Sequence, residues 1–317
     1  MADFAKDARY MDIGDLPSGG ATYTFDRVYL RQFVLRELPL LHHGMTARVR
    51  PHQHIIRAVS MACSIDINEL TDGDFCYVMA WLRRQSFPDF PVQAKYTCTQ
   101  PVWVNKRNNS LGDSKLTKAD AARLGYVREA CNGQNNELVH QTEIVVYTLE
   151  DDDLVIKHPE IDFPRVATLT DFHEYIDENP HMKYNAELAR WIKRGNSFKA
   201  KLLYLNAQKD MTLYEEIEEI RKKYFHGITE KIRLRCGQCN AIRFHETEPS
   251  LLKFFADNTE KDIFNMIYNL MSQFGVSADM DMPVKMFMYH HNQLASDRRA
   301  AEQRAREAAG KTGHKRF

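Results

Sequence analysis

The sequence lacks the features that would place it quickly in a functional class. No apolar run reaches the ~20 residues that span a membrane, and the first residues, MADFAKDARYMDIG, lack the apolar core of a signal peptide. There is no glycine-rich phosphate loop, no nucleophile elbow and no His-Glu-x-x-His motif. We therefore expect a protein that is neither exported nor inserted in a membrane, and that is not an enzyme.

The chain also lacks net charge. Its 43 Lys and Arg residues are balanced by 43 Asp and Glu residues, whereas general binding to nucleic acid needs a basic face. The balance therefore disfavours nucleic acid as a partner. The hydrophobic content of 44% is enough for a packed core, and 317 residues allow one large domain or two of ordinary size.

Cysteine is scarce, with six residues in the whole chain. Without an export signal, these cysteines favour a reducing compartment, where disulfides are rare and thiols serve as metal ligands or buried side chains. Cys63 lies on the apolar face of a predicted helix and Cys76 lies beside one. We expect both to be buried as small hydrophobic side chains, which leaves four cysteines as candidates for chemistry.

The stretch 231–248 carries the clearest chemical signal. Two short β-type runs flank a tight Cys236-Gly-Gln-Cys239 turn. A Cys-x-x-Cys at a hairpin tip is typical of a zinc knuckle, because the turn lets two thiolates converge on one metal. A thioredoxin-type redox pair fits less well, since that pair needs a helix after the motif and here a strand follows. Tetrahedral zinc takes four ligands, so two more must come from elsewhere.

A weak internal repeat points to the missing ligands. Cys-Asn, a gap and then His-[Glu/Gln]-Thr-Glu occur twice, beginning at Cys131 and at Cys239, with gaps that differ by three residues. The two copies contain His140 and His245, either of which could replace a cysteine ligand, although histidines that make ordinary hydrogen bonds on a strand face are favoured.

If Cys131 corresponds to Cys239, the counterpart of Cys236 lies upstream of Cys131. Cys98, which closes a predicted strand, is the one candidate there, and residues 99–130 become an insertion within the first knuckle. The hypothesis is one structural zinc with no open coordination position. Its predicted ligands are Cys98, Cys131, Cys236 and Cys239.

The remaining histidine clusters do not have metal-site spacing. His52 and His54 lie two apart in a helical turn and do not share a face, and the adjacent pairs at 42–43 and 290–291 diverge. We predict that these histidines lie at the surface.

The order of local patterns predicts an α+β fold, mainly helical with short antiparallel β-hairpins that include the zinc-knuckle hairpin. The predicted helices are 51–64, 71–85, 118–124, 170–176, 185–194, 197–206, 212–223, 248–255, 259–274 and 281–309. The predicted strands are 22–34, 92–98, 143–149 with 154–157 as its hairpin partner, and the two runs that flank Cys236 and Cys239. The predicted domains are an extended N-terminal arm (1–21), an N-terminal α+β domain (22–166) with the insertion 99–130, a helical C-terminal domain (167–280) that contains the Cys-Gly-Gln-Cys hairpin, and a terminal helix with a basic tail (281–317).

Several of these patterns together resemble a known family. In chain order they are Leu16-Pro17-Ser18-Gly19-Gly20, then Leu70-Thr71-x-x-Asp74 leading into Trp81-Leu82-Arg83-x-x-Ser86, then a strand that enters Cys98 and a strand after Cys131-Asn132. Over residues 16–156 and 231–274 the chain resembles the baseplate hub proteins of T-even-type contractile-tailed phages, a small family involved in assembling the central hub. The long insertion after Cys98 and the long C-terminal helix depart from the family pattern.

The resemblance implies a structural role without catalysis. The protein would be a component or assembly factor of a phage tail baseplate, made in the host cytoplasm, and would bind other baseplate proteins there or within the virion tail. Two alternatives stay open. A zinc-ribbon nucleic-acid-binding protein is suggested by Arg233, Arg235 and Arg243 around the knuckle. An enzyme with a catalytic zinc would need an open coordination position and a nearby glutamate.

Overall fold

A computed structural model describes residues 7–20, 23–41, 50–88, 92–113, 115–139, 143–150, 155–247 and 280–313. Within these ranges the chain combines α-helices with short antiparallel sheets, which confirms the predicted α+β class. None of the described helices is both long enough and apolar enough to cross a bilayer. The predicted helices at 248–255 and 259–274 lie outside the described residues.

The regular elements of the described residues are numbered in chain order. The strands are β1 (Met11–Asp12), β2 (Tyr29–Leu30), β3 (Val92–Thr97), β4 (Pro101–Asn105), β5 (Tyr126–Ala130), β6 (Gln134–Val139), β7 (Glu143–Tyr147), β8 (Gly227–Arg235) and β9 (Ile242–Thr247). The α-helices are α1 (Pro51–Ala62), α2 (Asp72–Ser86), α3 (Lys118–Arg123), α4 (Leu169–Glu178), α5 (Lys183–Ala189), α6 (Phe198–Asn206), α7 (Thr212–Lys223) and α8 (Val284–Gly313).

The strands form small sheets. β1 pairs with β2, β3 with β6 and β4 with β5, and the largest sheet has the order β7-β8-β9. In the β3–β6 ladder Val92 lies opposite Val139 and Thr97 opposite Gln134, all antiparallel. The β8–β9 hairpin is antiparallel as well and ends at the pair of Arg235 with Ile242, next to the Cys-Gly-Gln-Cys turn.

The described residues fall into two compact units. The larger unit draws on 1–88, 147–227 and 259–317, and the smaller unit on 89–146 and 228–258. All four predicted ligands belong to the smaller unit, which contains β3 to β6, α3 and most of the β7-β8-β9 sheet. The domain boundaries expected at 21, 166 and 280 stay a prediction.

Helix α2 shows how local sequence sets an element in the larger unit. It begins after Thr71, whose side chain accepts a hydrogen bond from the N–H of Asp74, as is typical of an N-cap residue. Asp74 is fully buried and accepts hydrogen bonds from the backbone N–H and the hydroxyl of Ser18 at 2.9 and 2.5 Å. At the other end of the helix, Ser86 Oγ accepts from the N–H of Phe33 at 2.9 Å. The patterns that carry the family resemblance therefore contain buried, hydrogen-bonded polar residues.

Two strand predictions are wrong. Among the described residues 23–34, only Tyr29–Leu30 form a strand. The segment bonds to the end of α1 instead of to a long neighbouring strand, and the N–H of Arg31 donates to the carbonyl of Ala62 at 3.0 Å. Residues such as Phe33 are buried all the same, since β propensity reflects packing more than backbone preference. The described residues of 154–157 form no strand, and β7 instead neighbours β8.

The surface assignment of His52 is also wrong. His52 is 6% exposed, and its ring stacks on that of His173 from α4 with centroids 3.5 Å apart. Burial lowers the pKa of His52 to about 4 and that of His173 to about 3, because both rings have lost the water that would solvate their charged forms. His290, by contrast, is exposed as predicted.

Candidate metal centre

The structure brings the four predicted ligands together. Their sulfur atoms all lie within 4.8 Å of one another. Cys98 Sγ is 3.7 Å from Cys239 Sγ, and Cys131 Sγ is 3.8 Å from Cys236 Sγ. A tetrahedron with metal–sulfur bonds of ~2.3 Å separates its thiolates by about 3.8 Å, whereas a disulfide bond measures about 2.05 Å. The cysteines are free thiols that could together hold a metal ion.

The Cys-Gly-Gln-Cys turn between β8 and β9 has a defined backbone pattern. The N–H of Cys236 donates to the carbonyl of Ala241 at 2.9 Å, and the N–H of Asn240 donates to the carbonyl of Cys236 at 2.8 Å. Asn240 has φ of 58°, in the left-handed region that asparagine tolerates better than most residues. The asparagine that follows the second cysteine therefore closes the turn.

Cys98 and Cys131 repeat this pattern at the end of the β3–β6 pair. The N–H of Cys98 donates to the carbonyl of Gly133 at 2.9 Å, the N–H of Asn132 donates to the carbonyl of Cys98 at 2.8 Å, and Asn132 has φ of 54°. Both bonds and the positive φ have direct counterparts at Cys236 and Asn240. The Cys-Asn pairs of the weak internal repeat thus have the same backbone structure.

The insertion enters the first turn after Gln100. β4 and β5 pair from Pro101 with Ala130 onward, and the N–H of Cys131 donates to the carbonyl of Gln100 at 2.8 Å. The chain therefore returns to Gln100 at the base of the insertion, and Thr99-Gln100 take the places of Gly237-Gln238. The inserted segment spans 101–130, close to the predicted 99–130. Its two strands were not predicted.

The insertion has contacts of its own. Trp103 Nε1 donates to the carbonyl of Leu116 at 3.1 Å, and Ala121 of α3 is fully buried. The guanidinium of Arg128 lies over the Trp103 ring, 5.9 Å from its centroid. The Trp103 contacts lie within the insertion itself.

The site consists of two half-sites, the turn with Cys98 and Cys131 and the turn with Cys236 and Cys239. Two side chains that the sequence analysis did not identify connect these half-sites. Asn135 lies four residues after Cys131; its Oδ1 accepts from the N–H of Gly237 at 2.9 Å, and its Nδ2 lies 3.5 Å from Cys236 Sγ. Arg243 lies four residues after Cys239 and donates to Thr99 Oγ1 at 2.7 Å and to Gln100 Oε1 at 2.6 Å.

The two contacts are reciprocal. Asn135 contacts Gly237, the residue after Cys236, and Arg243 contacts Thr99, the residue after Cys98. The shared offset from Cys131 and Cys239 is a signal that could have identified Asn135 and Arg243 from the repeat.

Gly133 lies where the two turns approach closely. A Cβ on Gly133 would lie 2.7 Å from Gln238 Oε1 and 3.2 Å from Cys236 Sγ. A larger residue would therefore have to move the Gln238 side chain and would crowd the Cys236 sulfur.

Burial and hydrogen bonding set the thiol acidity of the cluster. Cys98 and Cys236 are each 1% exposed and Cys131 is 7% exposed. Burial raises the pKa of Cys98, Cys131 and Cys239. Burial also opposes ionisation of Cys236, but hydrogen bonds from the N–H groups of Cys239 and Gln238, together with the Asn135 amide, outweigh it and lower its pKa to about 6. Cys236 is therefore the thiol of the cluster that ionises most readily.

The two remaining cysteines lie apart from this cluster. Cys63 is buried, as predicted, and burial raises its pKa to about 11. Cys76 is only partly buried, so its predicted burial holds in part. His140 falls outside the described residues. Within the part of the chain that the structure describes, the four-cysteine cluster is the one group of three or more His, Cys, Asp or Glu side chains placed to share a metal ion.

Comparisons of the chain with protein-family models, with curated proteins and with solved structures return no match.

Proposed function

We propose that the protein is a structural or assembly component of a phage tail baseplate, in the region of the central hub, and that it acts through protein–protein contacts. A structural zinc ion bound by Cys98, Cys131, Cys236 and Cys239 stabilises it. The observation that carries this proposal is the convergence of four thiols, with sulfur–sulfur distances of 3.7 and 3.8 Å, in a chain whose sequence resembles baseplate hub proteins.

The ligand set favours zinc and a structural role. Thiolates are soft ligands that select zinc, copper(I) or iron over magnesium and calcium. Four protein ligands complete a tetrahedral zinc site and leave no position for a water molecule or a substrate. This argues against a catalytic zinc, which keeps an open position.

The stability of the smaller unit should depend on the metal ion. Apart from the cysteines, one cluster of fully buried side chains in its described residues consists of Ile232 and Leu234, with Tyr96 packed against it. Burying two such aliphatic side chains contributes about 3–6 kcal/mol, whereas structural zinc in small domains contributes about 10–16 kcal/mol. The zinc would therefore contribute more to the stability of the smaller unit than this cluster does.

The baseplate assignment is supported by where the resemblance patterns lie. Ser18, Thr71, Asp74 and Ser86 are buried polar residues that bond to one another or to backbone groups. The resemblance thus involves residues that hold the Leu-Pro-Ser-Gly-Gly segment on α2.

A zinc-ribbon protein that binds nucleic acid is the second candidate. It is favoured by Arg233 and Arg235, which are both exposed on β8 beside the knuckle. Arg243, the third arginine of this group, is engaged with Thr99 and Gln100. The balanced charge of the chain counts against this candidate.

Two measurements test the proposal. Elemental analysis of the purified protein should find about one zinc per chain, as expected for a single four-thiolate site. Iron bound in place of zinc would colour the protein. Finding no metal would refute the proposed zinc site. Capture of the tagged protein from phage-infected cells, followed by mass spectrometry, should recover baseplate proteins. A matched Cys236→Ser, Cys239→Ser variant should recover fewer, and recovery of no tail protein by the wild type would refute the baseplate assignment.

A further inference from the structure

Helix α8 is packed at its start and exposed along the rest of its length. Val284, Phe287 and Met288 are buried, and the N–H of Val284 donates to the carbonyl of Phe33 at 2.9 Å. From 289 to 307, every residue whose burial the structure describes is exposed except Ala295, which is partly buried. At 1.5 Å per residue, this projecting segment (289–307) is about 28 Å long.

The projecting segment lacks the packing that stabilises most helices. Isolated helices are marginal in water, and helical stability in proteins comes mainly from tertiary contacts. α8 has 30 residues, a length typical of coiled coils and membrane spans, and it is not apolar enough to cross a bilayer. The ion pair of Arg298 with Glu302 within the segment adds little stability. A second helix packed along the segment would supply the missing contacts.

The buried face of the first turn continues along the projecting segment as a heptad pattern. With Val284 and Phe287 at positions a and d, the following d positions are Leu294 and Ala301, and Ala305 is an a position. Leu294 is 41% exposed, although it is a large apolar side chain. The alanines let a second helix approach closely, since the distance between packed helices depends on the side chains at the contact.

Two a positions of the same seam, 291 and 298, are His and Arg. Polar residues at a lower the stability of a coiled coil but specify its register. The stem of Arg298 can pack over a small residue of a second helix while its guanidinium stays in water beside Glu302. We therefore expect a weak pairing whose geometry is set by charges.

The charges beside the seam favour one direction of pairing. Asp297 and Arg304 are g residues and Glu302 is an e residue. In an antiparallel pair of identical helices, g residues face g residues, so Asp297 of each copy meets Arg304 of the other. In a parallel pair, g residues face e residues, and Asp297 would meet Glu302. Within the part of the chain that the structure describes, the side chains of Asp297 and Arg304 form no ion pair that would compete.

We propose that the projecting segment of α8 pairs antiparallel with the same segment of a second copy of this chain, with Asp297 of each copy opposite Arg304 of the other. In this register Leu294 packs on Ala305 of the second copy, and Arg298 lies over Ala301. Position 289 is then level with position 310, so the overlap covers the projecting segment and ends where the body of the protein begins.

This inference goes beyond the proposed function, because α8 contributes no metal ligand and the pairing needs no other baseplate protein.

A second copy fits this face better than a nucleic acid does. The projecting segment carries four arginines and three acidic residues, and affinity for nucleic acid depends on the number of phosphates that cations contact without opposing charge. A mixture of both signs suits a partner whose charges are also mixed and arranged in the complementary order. The same segment in the reverse direction has that order.

Sedimentation equilibrium of the full-length, metal-loaded protein tests the proposal over a series of protein concentrations in reducing buffer. The test variants are Asp297→Arg, Arg304→Asp and the double variant that carries both changes. The control is Arg306→Asp, which makes the same substitution at a b position, away from the seam. All these residues are exposed, so the variants should fold normally, and circular dichroism checks that they do.

The wild type should show a monomer–dimer equilibrium. Each single variant should dimerise about tenfold more weakly, because two attractive pairs per dimer become repulsive, while the double variant should regain wild-type affinity. Arg306→Asp should dimerise like the wild type. Leu294→Ala should weaken the dimer about tenfold through lost apolar contact, since leucine and alanine are both strong helix formers.

A wild type that stays monomeric at all concentrations would overturn the proposal and leave this face to a different chain. A dimer that neither single variant weakens, or that the double variant does not restore, would place the interface elsewhere. A tighter dimer in Asp297→Arg would show parallel pairing and refute the antiparallel register. Recovery in the double variant would exclude misfolding as the cause of the loss in the single variants.

The baseplate assignment is tested separately. If the protein dimerises as described but captures no baseplate protein from infected cells, the assignment fails and the pairing stands. If it captures baseplate proteins but stays monomeric when purified, the pairing fails and the assignment stands.

Discussion

Replacing Cys131 by serine should release the metal and unfold the smaller unit, whereas replacing Cys63 by serine should leave the metal in place. The two positions form a matched pair, since Cys131 is 7% exposed and Cys63 is 8% exposed. The same atom is exchanged at each, with similar burial. They differ in that Cys131 Sγ lies 3.8 Å from Cys236 Sγ within the four-thiol cluster, while Cys63 lies in the larger unit.

The expected magnitudes differ accordingly. A structural zinc site contributes about 10–16 kcal/mol, which is roughly 3–4 kcal/mol for each of four ligands, so loss of the Cys131 thiolate should weaken zinc binding by about 10²–10³-fold. The small apolar cluster around Ile232 and Leu234 cannot replace that contribution. At Cys63 the substitution buries a hydroxyl in place of a thiol, which costs about 1–3 kcal/mol of stability and touches no ligand.

Zinc content after dialysis and peptide-resolved hydrogen exchange measure the two effects. In the Cys131→Ser variant, zinc should be lost and amides in 92–113, 115–139 and 228–247 should exchange rapidly, while amides of α1 and α2 keep their protection. A strong chelator added to the wild type should have the same effect. This experiment tests the site even if the Cys131→Ser variant cannot be purified. Retention of zinc and of protection in Cys131→Ser would refute the four-thiolate site, and so would equal zinc loss in Cys63→Ser.

Three further outcomes follow from the structure. Asn135→Ala removes the amide that bonds across the two half-sites, so zinc affinity in a chelator competition should fall about 10–100-fold; unchanged affinity would show that the bracing is dispensable. Gly227→Ala should lower the free energy of unfolding by about 2–4 kcal/mol in denaturant melts. Gly227 has φ of 122°, and a Cβ at this position would lie 2.7 Å from the Gly73 Cα. An unchanged free energy of unfolding would contradict this geometry. The depressed pKa values of His52 and His173, about 4 and about 3, lie below the ~6.5 of an unfolded histidine, so the unfolded state binds more protons as the pH falls. Stability that is fully present above pH ~6.5 should therefore fall by about 2 kcal/mol per histidine at pH ~5, and His173→Phe should flatten this dependence, whereas an unchanged pH profile would mean that the pair stays solvated.

The local elements that were predicted well have signals within a few residues. α1 begins at Pro51, which suits a first helical turn, and α2 follows the N-cap Thr71. The repeated Cys-Asn pairs also have a local cause, because asparagine takes the positive φ at 132 and 240 that closes each turn. Capping, helical periodicity and turn chemistry act over short distances and can therefore be found in one sequence.

The wrong predictions depend on neighbours that are remote in the chain. The spacing along α1 predicts a surface position for His52, yet His173 of another helix covers its ring. The local pattern pairs β7 with the residues just after it, yet β7 neighbours β8, about 80 residues later. Tertiary packing decides which half-polar side chains are buried and which strands pair, and no short window contains that information.

The metal centre divides in the same way. The residue types, the Cys-Gly-Gln-Cys turn and the repeated Cys-Asn pair are properties of the sequence, and they were enough to nominate all four cysteines. The tertiary structure alone placed Cys98 beside Cys239, 141 residues away, and Cys131 beside Cys236, 105 residues away. It also revealed the bracing by Asn135 and Arg243. The physical reason is that contacts across such separations depend on sheet register and on packing within the whole smaller unit, which local sequence preferences do not encode.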